Sequence, residues 1–161
     1  MIQIVQSSLL WFSAIGCAVI GGVYFAFSTF IMTAFGQMDR VAGISAMQAI
    51  NDVILRSLFM PLFFGTTLAS VLLAGLAIHD WPAPGSRLIL VAACLFLAGM
   101  FIVTVVFNVP LNNALVAHAA QSADAATVWT DYLKTWTVWN HVRTVVSIAA
   151  GVIFTIALAR A

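Results

Sequence analysis

Charge is the scarcest property of this chain. Charged side chains make up only 7% of its 161 residues, whereas hydrophobic ones make up 63%. An average soluble domain is about 25% charged, so a chain of this composition could not cover a water-facing surface. The net charge of +1 also gives no sign of the basic patch that binds nucleic acid or an anionic lipid surface.

Cysteine is scarce as well, and no basic residue precedes the first apolar run. Cys17 and Cys94 both lie within apolar stretches, where a cysteine is most often a small packing residue. Neither therefore indicates a redox role. A signal peptide needs a basic segment ahead of its apolar core, so we expect the first apolar segment to be retained.

What the chain does contain is four long stretches without Asp, Glu, Lys or Arg. A helix needs about 20 apolar residues to cross a hydrocarbon core of about 30 Å. Three stretches reach that length, and the fourth reaches it if its helix begins near Trp136. The pattern predicts an all-α integral membrane four-helix bundle, a single domain over residues 1–161, with short amphipathic helices in the connectors. The uncharged stretches are Ser7–Met38, Ser57–Ile78, Leu88–Ala117 and Thr144–Ala159, and the predicted spans are about 5–33, 55–78, 87–108 and 138–159.

The connectors carry most of the remaining polar residues. A turn is expected from Asp39 to Gly43, followed by an amphipathic helix from Ile44 to Leu55. Pro110 predicts a break or a kink in the third helix near Asn108, because proline disfavours helical geometry in the residue before it. If the kink is mild, Asn108 and Asn112 could share one face. Residues 127–139 look like an amphipathic lead-in to the fourth span. Four crossings would place both termini on one side and both polar connectors on the other.

The strongest cluster of polar residues lies where the fourth span begins. On a helix, Trp136, Asn140 and Arg143 form one continuous stripe. An ionisable residue inside a span usually faces the bundle interior and is a functional candidate; the alternative is an arginine that extends to lipid phosphates. His141 is the only side chain there that exchanges a proton near neutral pH. It is therefore the candidate general base, unless it is a capping or interfacial histidine.

Four amides form the second group of candidates, and each could hydrogen-bond either a ligand or a neighbouring helix. Trp136 and Trp139 could flank a ligand or anchor the protein at the membrane interface. No second histidine lies three or four residues from His141, so a metal site there would need His118 or Asp131 brought in by the fold, and we predict no metal ligands. The four amides are Gln48, Asn51, Asn108 and Asn112. Six residues are predicted to converge in one pocket on the connector side: Asn51, Asn108, Asn112, Asn140, His141 and Arg143.

Four sequence strings together resemble the anthrone oxygenase-like family, small four-helix membrane proteins long described as a domain of unknown function. The strings are Tyr24–Ser28, Ala46–Asn51, Asn108–Asn113, and Trp136 with Trp139–Arg143, and the resemblance covers nearly the whole chain. It implies an oxidoreductase that uses O2 on an anthrone-like or other apolar aromatic substrate without a bound cofactor. It also implies a multi-pass protein of a bacterial inner membrane.

The residues are compatible with that chemistry, because an anthrone has an acidic CH2 whose anion can react with O2. His141 would take the proton, and Arg143 with an amide such as Asn108 or Asn112 would hold the oxyanion. Phe25, Phe27 and the two tryptophans would flank the rings.

Two rival interpretations remain for the function. One is a non-catalytic membrane protein that binds or moves an apolar small molecule, and the other is an accessory subunit of a membrane complex. The expected partners are the lipid bilayer, an apolar aromatic molecule and O2, with no nucleic acid. The sequence gives no oligomeric state.

Overall fold

A computed structural model describes residues 2–160 of the chain. The structure is 87% helical, has no strand in this range, and confirms the predicted all-α bundle. Four of its five helices are long and apolar enough to cross a membrane, which makes this a multi-pass integral membrane protein. The helices are α1 (Gln3–Gln37), α2 (Arg40–Ile54), α3 (Phe59–His79), α4 (Ser86–Val116) and α5 (Asp124–Leu158).

Neighbouring long helices of the bundle run in opposite directions. Gly151 of α5 packs against Cys17 of α1, whereas Ser28, further along α1, hydrogen-bonds Thr144, earlier along α5. Both ends of the described chain therefore lie at one end of the bundle, with the 80–85 loop. The opposite end, which we call the connector end, holds α2 and the 117–123 loop.

Small residues let α1 and α5 approach closely. A methyl group added to Gly151 would lie 3.2 Å from the Cys17 Cβ, and one added to Gly21 would lie 3.1 Å from the Ile148 side chain. Such close backbones are typical of helix packing in membranes. The hydrophobic effect does not drive helices together in lipid, and the close van der Waals contact that small residues allow stabilises the pair instead. This contact fixes how the two helices present their polar residues to each other.

Helix α2 begins earlier than the sequence predicted. The Asp39 carboxylate accepts hydrogen bonds from the backbone N–H groups of Val41 (3.0 Å) and Ala42 (3.2 Å). This is the standard arrangement at a helix N-cap, so the helix begins at Arg40 rather than at Ile44. The predicted turn from Asp39 to Gly43 is wrong, because Gly43 lies inside the helix.

Of the two outcomes predicted at Pro110, a break in α4 does not occur. The helix is continuous from Ser86 to Val116, but its turns widen to the π form over Leu95–Ile102 and Thr104–Asn108. A proline lacks an N–H group and crowds the carbonyl of the preceding turn, and local π turns are one way in which membrane helices accommodate the backbone groups that a proline frees. Asn108 and Asn112 consequently stay on one helix. The expected lead-in over residues 127–139 is likewise part of the continuous helix α5.

Candidate functional site

Arg143 of α5 is the centre of a buried polar cluster, with only 4% of its surface exposed. Its Nη2 donates to the Asn140 Oδ1 (2.8 Å), and its Nη1 approaches the Thr104 hydroxyl (3.4 Å). The guanidinium carbon lies 4.2 Å from the centre of the Tyr24 ring and 5.0 Å from that of Trp136. Two aromatic faces therefore stabilise the cation through cation–π contacts.

No carboxylate of residues 2–160 balances this buried charge. The ion pair found in residues 2–160 joins Arg56 to Asp52 on the surface (2.8 Å), and the Arg143 Nε has no hydrogen-bond partner. Removing an ion from water costs several kcal/mol, which a nearby opposite charge normally offsets. The guanidinium is thus a positive site with an unused donor.

Asn140 holds Arg143 in place from behind. It is fully buried, and its Nδ2 donates to the Tyr24 carbonyl (2.7 Å) and to the Ser28 hydroxyl (2.8 Å) on α1. The Ser28 hydroxyl also contacts that of Thr144 (2.9 Å). With its oxygen accepting from Arg143, the amide uses both ends and fixes the guanidinium relative to α1.

A cavity of about 220 Å³ lies beside Arg143, and all five helices contribute to its wall. Most of the wall is aromatic or aliphatic, including Phe27, Met47, Phe59, Phe63 and Phe101. Its polar residues are Tyr24, Asn51, Thr104, Asn112, Trp136 and Arg143, with no histidine or carboxylate among the lining residues. Small-molecule sites are commonly apolar with a few converging polar groups, and this cavity has that character.

Asn112 and Asn51 supply the amides of the cavity. The Asn112 Oδ1 accepts hydrogen bonds from the Tyr132 hydroxyl and from the Trp136 Nε1, both at 2.8 Å. This anchors the indole whose face contacts Arg143, and Phe27 meets the same ring edge-on. The Asn51 Nδ2 is buried and has no hydrogen-bond partner in the part of the chain that the structure describes. Because Asn51 also lines the cavity, its amide is a second unused donor there.

The structure brings together most, but not all, of the predicted site residues. Asn51, Asn112, Trp136 and Arg143 line the cavity, and Asn140 lies directly behind Arg143. Asn108 is buried nearby, where its Nδ2 donates to the Trp136 carbonyl (3.3 Å).

The predicted convergence is wrong for His141. Its side chain is exposed on the outer surface of α5, because one residue along a helix turns the side chain by about 100°. His141 is therefore separated from the cavity by its own helix, although it adjoins Asn140 in sequence. The expectation that it removes a substrate proton directly has no geometric support.

Three other candidates also lie outside the cavity. Trp139 stacks on Phe107 with ring centres 3.7 Å apart. Gln48 caps the end of α4, since its Nε2 donates to the carbonyls of Leu115 (2.9 Å) and His118 (3.2 Å). Phe25, expected to flank the substrate, faces outwards instead.

Three residues of the site were not predicted from the sequence: Tyr24 and Thr104, which contact Arg143, and Tyr132, which holds Asn112. Tyr24 had a detectable signal, because Gly21, Tyr24 and Ser28 share the face of α1 that packs on α5. No comparable pattern marks Thr104. Residues 2–160 contain no group of three or more His, Cys, Asp or Glu side chains that could hold a metal ion.

Comparison with known proteins gives one match. A family model described as anthrone oxygenase matches residues 53–153, a range that includes α3, α4 and the part of α5 that carries Trp136, Asn140 and Arg143. No curated protein and no solved structure matches the chain.

Proposed function

The chain belongs to the anthrone oxygenase family, and from this premise we propose that it is a membrane oxygenase that binds an apolar aromatic substrate as its anion. The observation that carries the proposal is Arg143, whose buried guanidinium lies beside an apolar cavity and has no carboxylate partner within residues 2–160. An anionic ligand would neutralise this charge. The attraction is strong there because the surroundings have a low dielectric constant.

The proposed substrate is an anthrone-like molecule with an acidic CH2 group conjugated to a carbonyl. Loss of one proton from this carbon gives an anion whose negative charge rests largely on the carbonyl oxygen. The Arg143 guanidinium would hold that oxygen, and its energy gain would be largest for the anion, as in other sites that stabilise a developing oxyanion. Phe27, Phe59 and Phe63 offer apolar surfaces for the rings.

The oxidation then needs only O2 as co-reactant. The carbanion adds O2 and a proton to give a hydroperoxide, which loses water to leave a ketone. The balance is one CH2 and one O2 to one C=O and one H2O, with the carbon oxidised and O2 reduced. This scheme requires no metal or flavin, because the substrate anion is itself the electron donor.

The route of the proton follows from the cavity wall. Its lining residues include no histidine or carboxylate, so we propose that Arg143 makes the CH2 more acidic and that water accepts the proton. An open cleft at the connector end adjoins the cavity at Asn51 and Asn112, and it also contains Asp52 and His118. Water in this cleft would carry the proton away.

A lipid location suits both reactants. An apolar aromatic molecule and O2 both concentrate in a bilayer, which we propose is a bacterial inner membrane.

A second function is favoured by the same absence of a histidine or carboxylate from the cavity lining. The protein would then bind or move the anionic aromatic molecule without oxidising it. Both functions need Arg143, but only the oxygenase consumes O2.

Oxygen uptake by the purified protein in nanodiscs separates these functions. We expect uptake with anthrone above the rate of empty nanodiscs, and none with 10,10-dimethylanthrone, which has no acidic hydrogen at that carbon. Anthrone binding without uptake would select the binding protein. Neither binding nor uptake would overturn the proposal.

A further inference from the structure

The cavity beside Arg143 has an apolar opening on the side of the bundle. Four residues line the cavity and are nevertheless exposed at the molecular surface. All four are hydrophobic, and they come from the end of α2, from α3 and from α4. They are Leu55, 63% exposed, Phe64, 55%, Val105, 50%, and Val109, 40%.

The position of this opening along the bundle places it among lipid chains. Helix α3 has 21 residues, about 31 Å at 1.5 Å per residue, which just crosses a hydrocarbon core of about 30 Å. Phe64 lies about 8 Å inside the connector end of this helix. A side opening at that depth faces acyl chains rather than water.

A second, more polar opening exists at the connector end. This cleft shares Asn51, Asn112, Leu55 and Val109 with the cavity wall and also contains Asp52, Asn113 and His118. Phe64 and Val105 are the exposed lining residues that belong to the side opening alone. Water and protons can use this polar route. An apolar ring system would have to leave the bilayer and pass the amides to use it.

We propose that Phe64 and Val105 form a lateral portal through which an apolar aromatic molecule passes from the acyl-chain region into the Arg143 cavity. The two openings then serve different molecules. The apolar molecule enters between α3 and α4, and water exchanges through the cleft. The inference goes beyond the proposed function, since the portal admits the molecule whether or not it is then oxidised.

Photolabelling tests the portal without any assumption about the natural ligand. The probe is 3-trifluoromethyl-3-(3-iodophenyl)diazirine, a small apolar aryl compound that dissolves in bilayers and inserts into nearby side chains on illumination. Labelled residues in the full-length protein in nanodiscs are mapped by mass spectrometry. We expect labelling of Tyr24 and Trp136, which are 5% exposed, in addition to the outward-facing Val145, which serves as the internal reference.

Matched variants locate the route. Val105→Trp should abolish labelling of Tyr24 and Trp136 and leave Val145 unchanged. Val106→Trp is the control, because Val106 is 52% exposed but does not line the cavity, and it should leave all three labels as in the wild type. Phe64→Ala should widen the portal and increase labelling of Tyr24, so the test does not depend on a single bulky variant.

Three results would overturn the portal. They are no labelling of Tyr24 and Trp136 in the wild type, labelling that Val105→Trp leaves intact, and labelling by a water-soluble diazirine alone, which would make the polar cleft the entrance. The outcome is independent of the oxygenase proposal. If the protein does not oxidise anthrone but the labelling of Tyr24 and Trp136 is intact and is lost in Val105→Trp, the proposed oxygenase function is wrong and the portal is supported.

Discussion

Replacing Arg143 by methionine should separate stability from function, and the contacts allow both effects to be estimated. The substitution leaves the Asn140 Oδ1 without its donor, which costs about 1–3 kcal/mol. It also removes the cation–π contacts with Tyr24 and Trp136, about 2 kcal/mol for a desolvated cation. Against this, the protein no longer buries an unpaired charge, a relief of several kcal/mol.

These opposing terms nearly cancel in the free energy of unfolding. We expect Arg143→Met to change it by less than about 2 kcal/mol, so that Tm in detergent moves by no more than about 8 °C in either direction. Function should respond quite differently, because nothing compensates for the lost partner of the substrate oxyanion. Removal of one oxyanion donor typically lowers kcat by about 100- to 1,000-fold, and we expect a loss of that size in anthrone-dependent O2 uptake.

Two further variants make the comparison specific. Arg143→Lys keeps the charge but loses the planar fork that reaches Asn140 while lying between two rings, so its loss of activity should be intermediate. Arg56→Met removes an exposed arginine paired with Asp52; surface pairs contribute about 0–1 kcal/mol, and activity should be unchanged.

Two results would show that Arg143 does not bind the substrate anion. A large drop in Tm for Arg143→Met, with activity falling only in proportion to the unfolded fraction, would show that its role is to hold the bundle together. Full activity in a stable Arg143→Met protein would show that the substrate does not use this charge.

Three other predictions follow from the described contacts. His141→Ala should change O2 uptake by less than about twofold, since His141 lies outside the cavity; a loss of about 100-fold or more would restore it as a general base. Gly43→Ala should destabilise the protein by about 1–3 kcal/mol in thermal unfolding, because the new methyl group would lie 2.8 Å from the Phe35 carbonyl oxygen. Gly22→Ala is the control: its methyl group would meet no atom within 4 Å, so no such loss of stability is expected. Reporters active on only one side of the membrane should give equal signals at the N- and C-termini, and opposite signals would exclude the antiparallel four-helix crossing.

The fold could be predicted from the sequence because it follows from two simple requirements. Uncharged stretches of sufficient length leave a chain no stable state in water, and helices satisfy every backbone hydrogen bond in lipid. The residues at which the helices begin and end are harder to predict from the sequence. The cap at Asp39 and the widened turns before Pro110 depend on how individual carbonyl and N–H groups are satisfied, and residue preferences alone do not determine that.

In the candidate site, helical spacing predicts which residues of α5 are buried together, whereas side-chain chemistry alone does not. The spacing of Trp136, Asn140 and Arg143 predicts that they share one helix face, and all three are buried on the inner face of α5. His141 has suitable chemistry, but its position on the same helix turns it away from that face. On α1, the same spacing rule applied to Gly21, Tyr24 and Ser28 indicates Tyr24. A titratable side chain near a functional cluster therefore counts only after its helical face agrees with that of its neighbours.

Asn51 marks the limit of this geometric argument. Its position on α2 is readable from sequence, but its approach to the cavity depends on how α2 folds back against α4 and α5, which no periodicity encodes. Its buried Nδ2 and the Arg143 Nε are both donors without partners at one cavity. Unpaired buried donors are costly, and acceptor oxygens on a ligand would satisfy both. The same two groups would repel a ligand that presents only donors, so the cavity should discriminate in favour of oxygen-bearing aromatic anions over aromatic amines.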